Sequence, residues 1–153
     1  MSNLTTELQA WWNNTQDPGV QPDESDYLSQ EKVKDIIKNC PKEMALIDLR
    51  KNDFIGGKIK GALNLPAQGI HNSIDDLYDL FKASGKKEIV VYCVISSGSS
   101  KNRASRVWGW FENKAKQEGG NGPKPYILRG GFSGWVAQGP EYTDLVNDYV
   151  PQQ

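Results

Sequence analysis

Cys93 leaves an apolar run, Ile89-Val90-Val91-Tyr92, and enters a serine- and glycine-rich stretch that closes on Arg103. A thiol placed there meets three influences that favour its ionised form: successive backbone N–H groups, the N-terminus of a following helix, and a guanidinium. Ser96, Ser97, Gly98, Ser99 and Ser100 are small enough to let the loop amides, from Val94 and Ile95 through Lys101 and Asn102, curl around an anion. Arg103 adds a fork that grips two oxygens of a phosphate-like group, and Lys101 and Arg106 stand nearby as further cations. The chemistry this spacing supports is attack by a Cys93 thiolate on an oxyanion held by the loop and Arg103. On position alone, Cys93 also reads as a buried structural thiol at a strand end.

Other reactive side chains are secondary. Asp48 stands beside Arg50 in Ile47-Asp48-Leu49-Arg50, and a pairing that supports the loops below the site is favoured over general acid work. His71, the sole histidine, has no acidic or cysteine neighbour at a useful spacing, which argues against a Cys–His dyad. Cys40 completes the apolar face of a helix and reads as structural. No Cys/His set has the paired spacing of a zinc site, so no metal is expected.

The elements that must position Cys93 follow from periodicity. Ser29 is a candidate N-cap for a helix with Val33, Ile36, Ile37 and Cys40 on one face, ended by Pro41. Met44 to Leu49 is a nearly all-apolar strand, as expected of one covered on both faces. Ala62 to Pro66 reads as a short strand, and Ser73 as the cap of a helix with Ile74, Leu77, Tyr78 and Phe81 inward. Ile89 to Ile95 is the central-strand candidate, followed by a helix striped with Ala104, Val107, Trp108, Phe111 and Ala115. Tyr126 to Leu128 is a last strand, and Gly130 to Trp135 turns into a final helix. Strands alternating with helices imply a parallel sheet, whose ligands bind beyond the carboxyl ends of its strands.

The 153 residues suffice for one α/β core. Residues 1–26, acidic, with Pro18, Gly19 and Pro22 and many Asn, Gln and Asp, read as an irregular arm, with Trp11 and Trp12 anchoring it to the domain of residues 27–150. All 18 basic residues fall within 27–135, against 11 acidic ones there, so the body carries +7 and suits a small anion. No basic run interleaved with aromatics suggests nucleic acid. The longest apolar run, about seven residues, is far short of the roughly 20 that span a membrane. The first residues lack an export signal, and two cysteines make no disulfide framework, so a cytoplasmic or nuclear setting is expected.

Four strings resemble the rhodanese domain superfamily, including its cell-cycle phosphatase and arsenate-reductase branches. They are Leu46 to Arg50, Gly57 to Pro66, Val90 to Cys93 with its loop, and Leu128 to Trp135, in the family's order. The Pro66-Ala67-Gln68 string and Trp108-Gly109-Trp110-Phe111 look most like small fungal members labelled arsenate-reductase-like. The resemblance implies a three-layer α/β fold, a five-stranded parallel sheet flanked by helices, with a catalytic cysteine heading the loop after the central strand; it implies no cofactor. Lys58 stands where the family's Gly-His-Ile string carries histidine. Phosphatase-like branches run cysteine, five residues, arginine, whereas nine residues separate Cys93 from Arg103. Either Cys93 is the nucleophile on an enlarged loop, or Ser97, separated from Arg103 by five residues, occupies the nucleophile's place.

Three functions follow as expectations. The leading one is an enzyme attacking a small oxyanion or a phosphoprotein, as a phosphatase or an arsenate reductase, the latter drawing on an external thiol such as glutathione or a glutaredoxin. The second is a sulfurtransferase carrying a persulfide on Cys93. The third is an inactive binding module with Ser97 in the nucleophile position.

Overall fold

The computed structural model describes residues 3–95 and 102–152. In chain order the elements are α1 (Asn3–Asn14), β1 (Tyr27–Leu28), α2 (Gln30–Asn39), β2 (Met44–Asp48), β3 (Lys58–Ile59), β4 (Leu63–Asn64), α3 (Ala67–Ile70), α4 (Ile74–Ala83) and β5 (Glu88–Tyr92). They continue with α5 (Arg103–Gln117), β6 (Lys124–Leu128), α6 (Gly131–Val136), α7 (Pro140–Thr143) and β7 (Val146–Asn147).

Apolar runs without polar alternation need cover on both faces, and helices on the two sides of one sheet supply it. Five parallel strands lie in the order β1-β6-β5-β2-β4, with β5 at the centre. β2 and β5 pair along their whole length, from Met44 opposite Glu88 to Asp48 opposite Tyr92. A separate antiparallel ribbon joins β3 to β7. The three-layer α/β fold expected from the strings is thus present.

Side-chain alternation splits the core in two. Ala45, Ile47, Ile89 and Val91 face a layer built from α1, α4 and α5, where Trp11, Phe81, Val107 and Phe111 pack. Met44, Leu46, Val90 and Tyr92 face α2, α6 and α7, with Val33, Ile36, Phe132 and Trp135. Ser29 caps α2 as read, its hydroxyl accepting the Lys32 N–H at 3.1 Å. Ser73 takes the N-cap position of α4 without a side-chain hydrogen bond there.

The N-terminal arm differs from expectation. Asn3–Asn14 form a regular helix, stabilised by tertiary contacts with α5 that local sequence does not announce. The Arg106 Nη1 donates to the carbonyls of Trp12 (2.8 Å) and Thr15 (3.1 Å) and to the Thr15 hydroxyl (3.0 Å). Its guanidinium also lies over the Trp12 ring, 3.5 Å from the centroid. Trp110 Nε1 donates to the Gln16 carbonyl and Asn113 Nδ2 to the Pro18 carbonyl, each at 2.8 Å. The partners advance together along both segments, so this stretch follows α5 in register. The two tryptophans anchor the arm as read, with Trp11 buried and Trp12 half-buried.

The arm's acidic residues also meet the basic body. Glu7 pairs with Lys51, Glu24 with Arg129 at 2.6 Å, and Asp26 with Lys124 at 3.7 Å. Part of the body's positive charge is thereby neutralised within the chain. Among the described residues, no helix is long and apolar enough to cross a membrane.

Candidate active site

β5 ends at Tyr92, so Cys93 is the first residue beyond the carboxyl edge of the central strand. Alternation places it on the same side as Ile89 and Val91, toward α1 and α5. The turn after β6 holds it there: Phe132 N–H donates to the Cys93 carbonyl and Ser133 N–H to the Val94 carbonyl, both at 2.9 Å. That turn needs Gly130 and Gly131, whose φ angles of 79° and 61° lie in the left-handed region.

The Cys93 side chain is buried, 3% exposed. Its Sγ–H donates to the Ile95 carbonyl at 3.4 Å and to Asn102 Oδ1 at 3.5 Å. Asn102 also joins the two ends of the loop. Its Nδ2 donates to the Ile95 carbonyl and its Oδ1 accepts the Ala104 N–H, each at 2.7 Å, which caps α5. Both described sulfur contacts are with acceptors, which suit a thiol; the thiolate needs donors and positive charge. The amide cradle read at Ser96, Ser97, Gly98, Ser99, Ser100 and Lys101 lies outside the described residues.

Arg103, the first residue of α5, supplies the charge. Its guanidinium grips both carboxylate oxygens of Asp53, Nη1 at 3.1 Å from Oδ1 and Nη2 on Oδ2. Burial pulls the Arg103 pKa down, but the Asp53 hydrogen bond and the charges of Cys93 and Asp53 reverse this and leave it raised. Burial likewise pushes Asp53 up, yet the Arg103 hydrogen bond and charge outweigh it and hold the carboxyl below its ordinary value. Cys93 and Arg103 are therefore electrostatic neighbours, with the guanidinium held by Asp53.

Arg106 does not join them. Its guanidinium is committed to Trp12 and Thr15 as described, so the reading of Arg106 as a site cation is corrected: the side chain turns toward α1 because helix carbonyls and an indole face satisfy it there.

Asp48 and Arg50 pair as expected, on the opposite side of the sheet. Arg50 Nη2 lies 2.7 Å from Asp48 Oδ2, with both side chains buried. Arg50 also donates to the carbonyls of Ile55 (3.0 Å) and Gly57 (2.6 Å) and lies between the rings of Phe54 and Phe132, 4.6 and 4.0 Å away. Because Phe132 holds the Cys93 carbonyl, this pair braces the cysteine loop from below. Tyr92 belongs to the same network: its hydroxyl accepts the Ile59 N–H at 3.3 Å, and burial and the Asp48 carboxylate push its pKa far above the ordinary phenol value. His71 is exposed just beyond α3, its ring 6.3 Å from that of Trp110.

Cys93, Asn102 and Arg103 line a cavity of about 280 Å³ together with Leu8 and Trp11 of α1. Sequence reading missed Leu8 and Asp53 as site residues and took Trp11 for an anchor only. Asp53 sits in an ordinary charged loop, and α1 is separated from Cys93 by most of the chain's first half, so no local pattern marks either.

A sheet of this order with a cysteine at the head of the loop after its central strand defines the rhodanese-like class. The chain belongs to that family: residues 29–138 match the model described as Rhodanese-like domain. It is 31% identical to the dual specificity phosphatase ibp1 of Schizosaccharomyces pombe, across 71% of this chain and 86% of that protein. It is 28% identical to arsenical-resistance protein 2 of Saccharomyces cerevisiae, with the same shares covered. The solved structure of an As-Sb reductase from Leishmania major superposes with a TM-score of 0.66 at 24% identity, covering 78% of this chain and 79% of that one, a likeness of fold.

Proposed function

We propose that the protein is a cysteine-dependent enzyme that acts on a phosphate-like oxyanion, with Cys93 as nucleophile and Arg103 as the principal anion ligand. The observation that carries this reading is the convergence of Cys93 and Arg103 on one cavity at the carboxyl edge of the central strand. The names of the two curated relatives, a dual specificity phosphatase and an arsenical-resistance protein, support the same class of substrate.

In the phosphatase reaction, the deprotonated Sγ forms an S–P bond as the bond from phosphorus to the leaving oxygen breaks. Arg103, released from Asp53, spreads over the equatorial oxygens and stabilises their charge. Water then cleaves the S–P bond, returning the thiol and free phosphate. With arsenate, Sγ displaces one arsenic-bound oxygen as water. A first external thiol such as glutathione then bonds to arsenic, and a second, from another glutathione or a glutaredoxin, attacks that sulfur, so that the two external thiols leave as a disulfide and their two electrons reduce As(V) to As(III). Water cleaves the remaining S–As bond to release arsenite and the Cys93 thiol. Cys40 does not supply them from within. It packs at the edge of the opposite core layer, and its thiol pKa is raised, chiefly by burial.

The test is turnover of p-nitrophenyl phosphate, and of arsenate with glutathione and glutaredoxin, by the intact chain and three variants. Cys93→Ser abolishes turnover, Arg103→Lys loses most of it because an ammonium lacks the fork, and Ser97→Ala retains it. Full activity in Cys93→Ser refutes the proposal. Persulfidation of Cys93 by thiosulfate without hydrolysis of either anion assigns the chain to sulfur transfer instead.

A further inference from the structure

The cavity beside Cys93 has two kinds of wall. Asn102 and Arg103 form a polar end; Leu8 and Trp11 are apolar and come from α1, which stands before the segment that matches the family. We propose that α1 is part of the active site and that Leu8 and Trp11 select anions bearing an apolar aromatic group, so that aryl phosphate monoesters are favoured over bare oxyanions. This rests on the reading of Cys93 as the attacking group and adds the substrate class.

Three observations support it. First, a pocket that joins a few convergent polar groups to apolar walls binds amphiphilic ligands, the polar groups fixing orientation and the walls contributing burial. An oxyanion held by Arg103 leaves the remainder of a cavity of about 280 Å³ against the Leu8 and Trp11 side chains. An aromatic leaving group fills that space and meets an indole, a favourable ring–ring contact beyond its area burial.

Second, α1 is fixed at both ends rather than resting loosely over the site. Toward its C-terminus, Arg106 and Trp110 of α5 grip Trp12, Thr15 and Gln16. Toward its N-terminus, Glu7 pairs with Lys51 and accepts from Asn52 Nδ2 at 3.5 Å. The loop it grips there carries Asp53, the partner of Arg103. The helix that bears Arg103 and the loop that bears Asp53 thus both set the position of the apolar wall.

Third, Trp11 is 7% exposed, yet its indole N–H is buried without an acceptor among the described residues. An orphan donor is costly, and a purely structural anchor would have no need to retain one next to a ligand cavity.

The experiment compares kcat/KM for p-nitrophenyl phosphate with that for acetyl phosphate, a small non-aromatic acyl phosphate whose leaving group is no poorer, in the intact chain and in Leu8→Ala and Trp11→Ala. The expected result is a loss of about tenfold on the aryl ester relative to acetyl phosphate. Equal losses on both substrates, or none, overturn the proposal. Trp11 contributes to the core, so the half-buried Leu8 decides the outcome if Trp11→Ala fails to fold.

A second measurement separates this proposal from the assignment of the reaction. Site-resolved mass spectrometry follows alkylation of Cys93 by iodoacetamide and by its N-phenyl analogue. A preference for the phenyl reagent that Leu8→Ala abolishes upholds the aromatic wall even if neither phosphate is hydrolysed. An unchanged preference refutes the wall even if hydrolysis is observed.

Discussion

Replacing Arg106 by methionine tests the account of how α1 is held. The side chain is 5% exposed, and its Nη1 serves three acceptors on α1 and the residue following it, at 2.8, 3.0 and 3.1 Å. A hydrogen bond from a charged donor contributes about 1.5–3 kcal/mol. Here one nitrogen is shared among three oxygens, so the bonds do not sum. Stacking on Trp12 adds about 0.5–1 kcal/mol. Against this, the guanidinium has lost hydration: burial pulls its pKa below the ordinary value, with Asp17 only partly offsetting. Methionine fills much of the arginine stem's space but leaves the Trp12 and Thr15 carbonyls without their donor. The expected net loss is about 2–3 kcal/mol. For a chain of this size each kcal/mol lowers Tm by roughly 2–4 °C, so calorimetry should show a fall of about 4–12 °C. Hydrogen exchange should show the largest loss of protection in α1, with amides of β5 changing only by the global amount. An unchanged Tm together with undiminished α1 protection would show that Arg106 does not hold the helix.

Gly109 offers a change of opposite sign to the usual one. Alanine in a helix interior normally gains about 1 kcal/mol over glycine, but a Cβ at Gly109 would sit 2.5 Å from Pro18 Cγ and 2.7 Å from its Cβ. Gly109→Ala should therefore lower stability in urea unfolding, and a gain would mean that the arm does not pack on α5 as described. Asp53→Asn removes the partner of Arg103. A carboxyl whose pKa is depressed in the folded state stabilises it above the ordinary value of 3.8 and loses that contribution as pH falls through the depressed one. The stability difference between the intact chain and Asp53→Asn should hold near neutrality and close below pH 3.8; a difference that persists undiminished into stronger acid refutes the ion pair as its source.

Much of the scaffold was legible because its signals are local. The uninterrupted apolar runs of Met44–Ile47 and Ile89–Tyr92 declare strands covered on both faces, and the Ser29 cap and the spacing of Val33, Ile36 and Ile37 declare α2. Cys93 could be placed because a strand end fixes both its edge and, by alternation, its face. What stayed hidden depends on residues that meet only after folding. α1 has no acidic first turn and no basic last turn, and its support comes from Arg106, Trp110 and Asn113, which look in sequence like ordinary positions on an amphipathic helix. In sequence Arg106 reads as a further cation near Cys93, but one turn along α5 brings it level with the carboxyl end of α1. The Asp53–Arg103 pair spans fifty residues between a loop and a helix start, a distance no periodicity encodes.

The short border strands of the sheet have a consequence for self-association. β1 and β4 are two residues each, and they flank interior strands of five residues. Apolar, β-branched segments such as Ile89-Val90-Val91 are the kind that template fibrous assembly when their ladder is left open. A neighbouring molecule reaching either margin finds too few unpaired amides to add a strand of useful length. At the β4 margin, the Asn64 carboxamide is itself turned inward to the carbonyls of Asp48 and Arg50. The aggregation-prone centre of the molecule is thereby kept from extending into another copy.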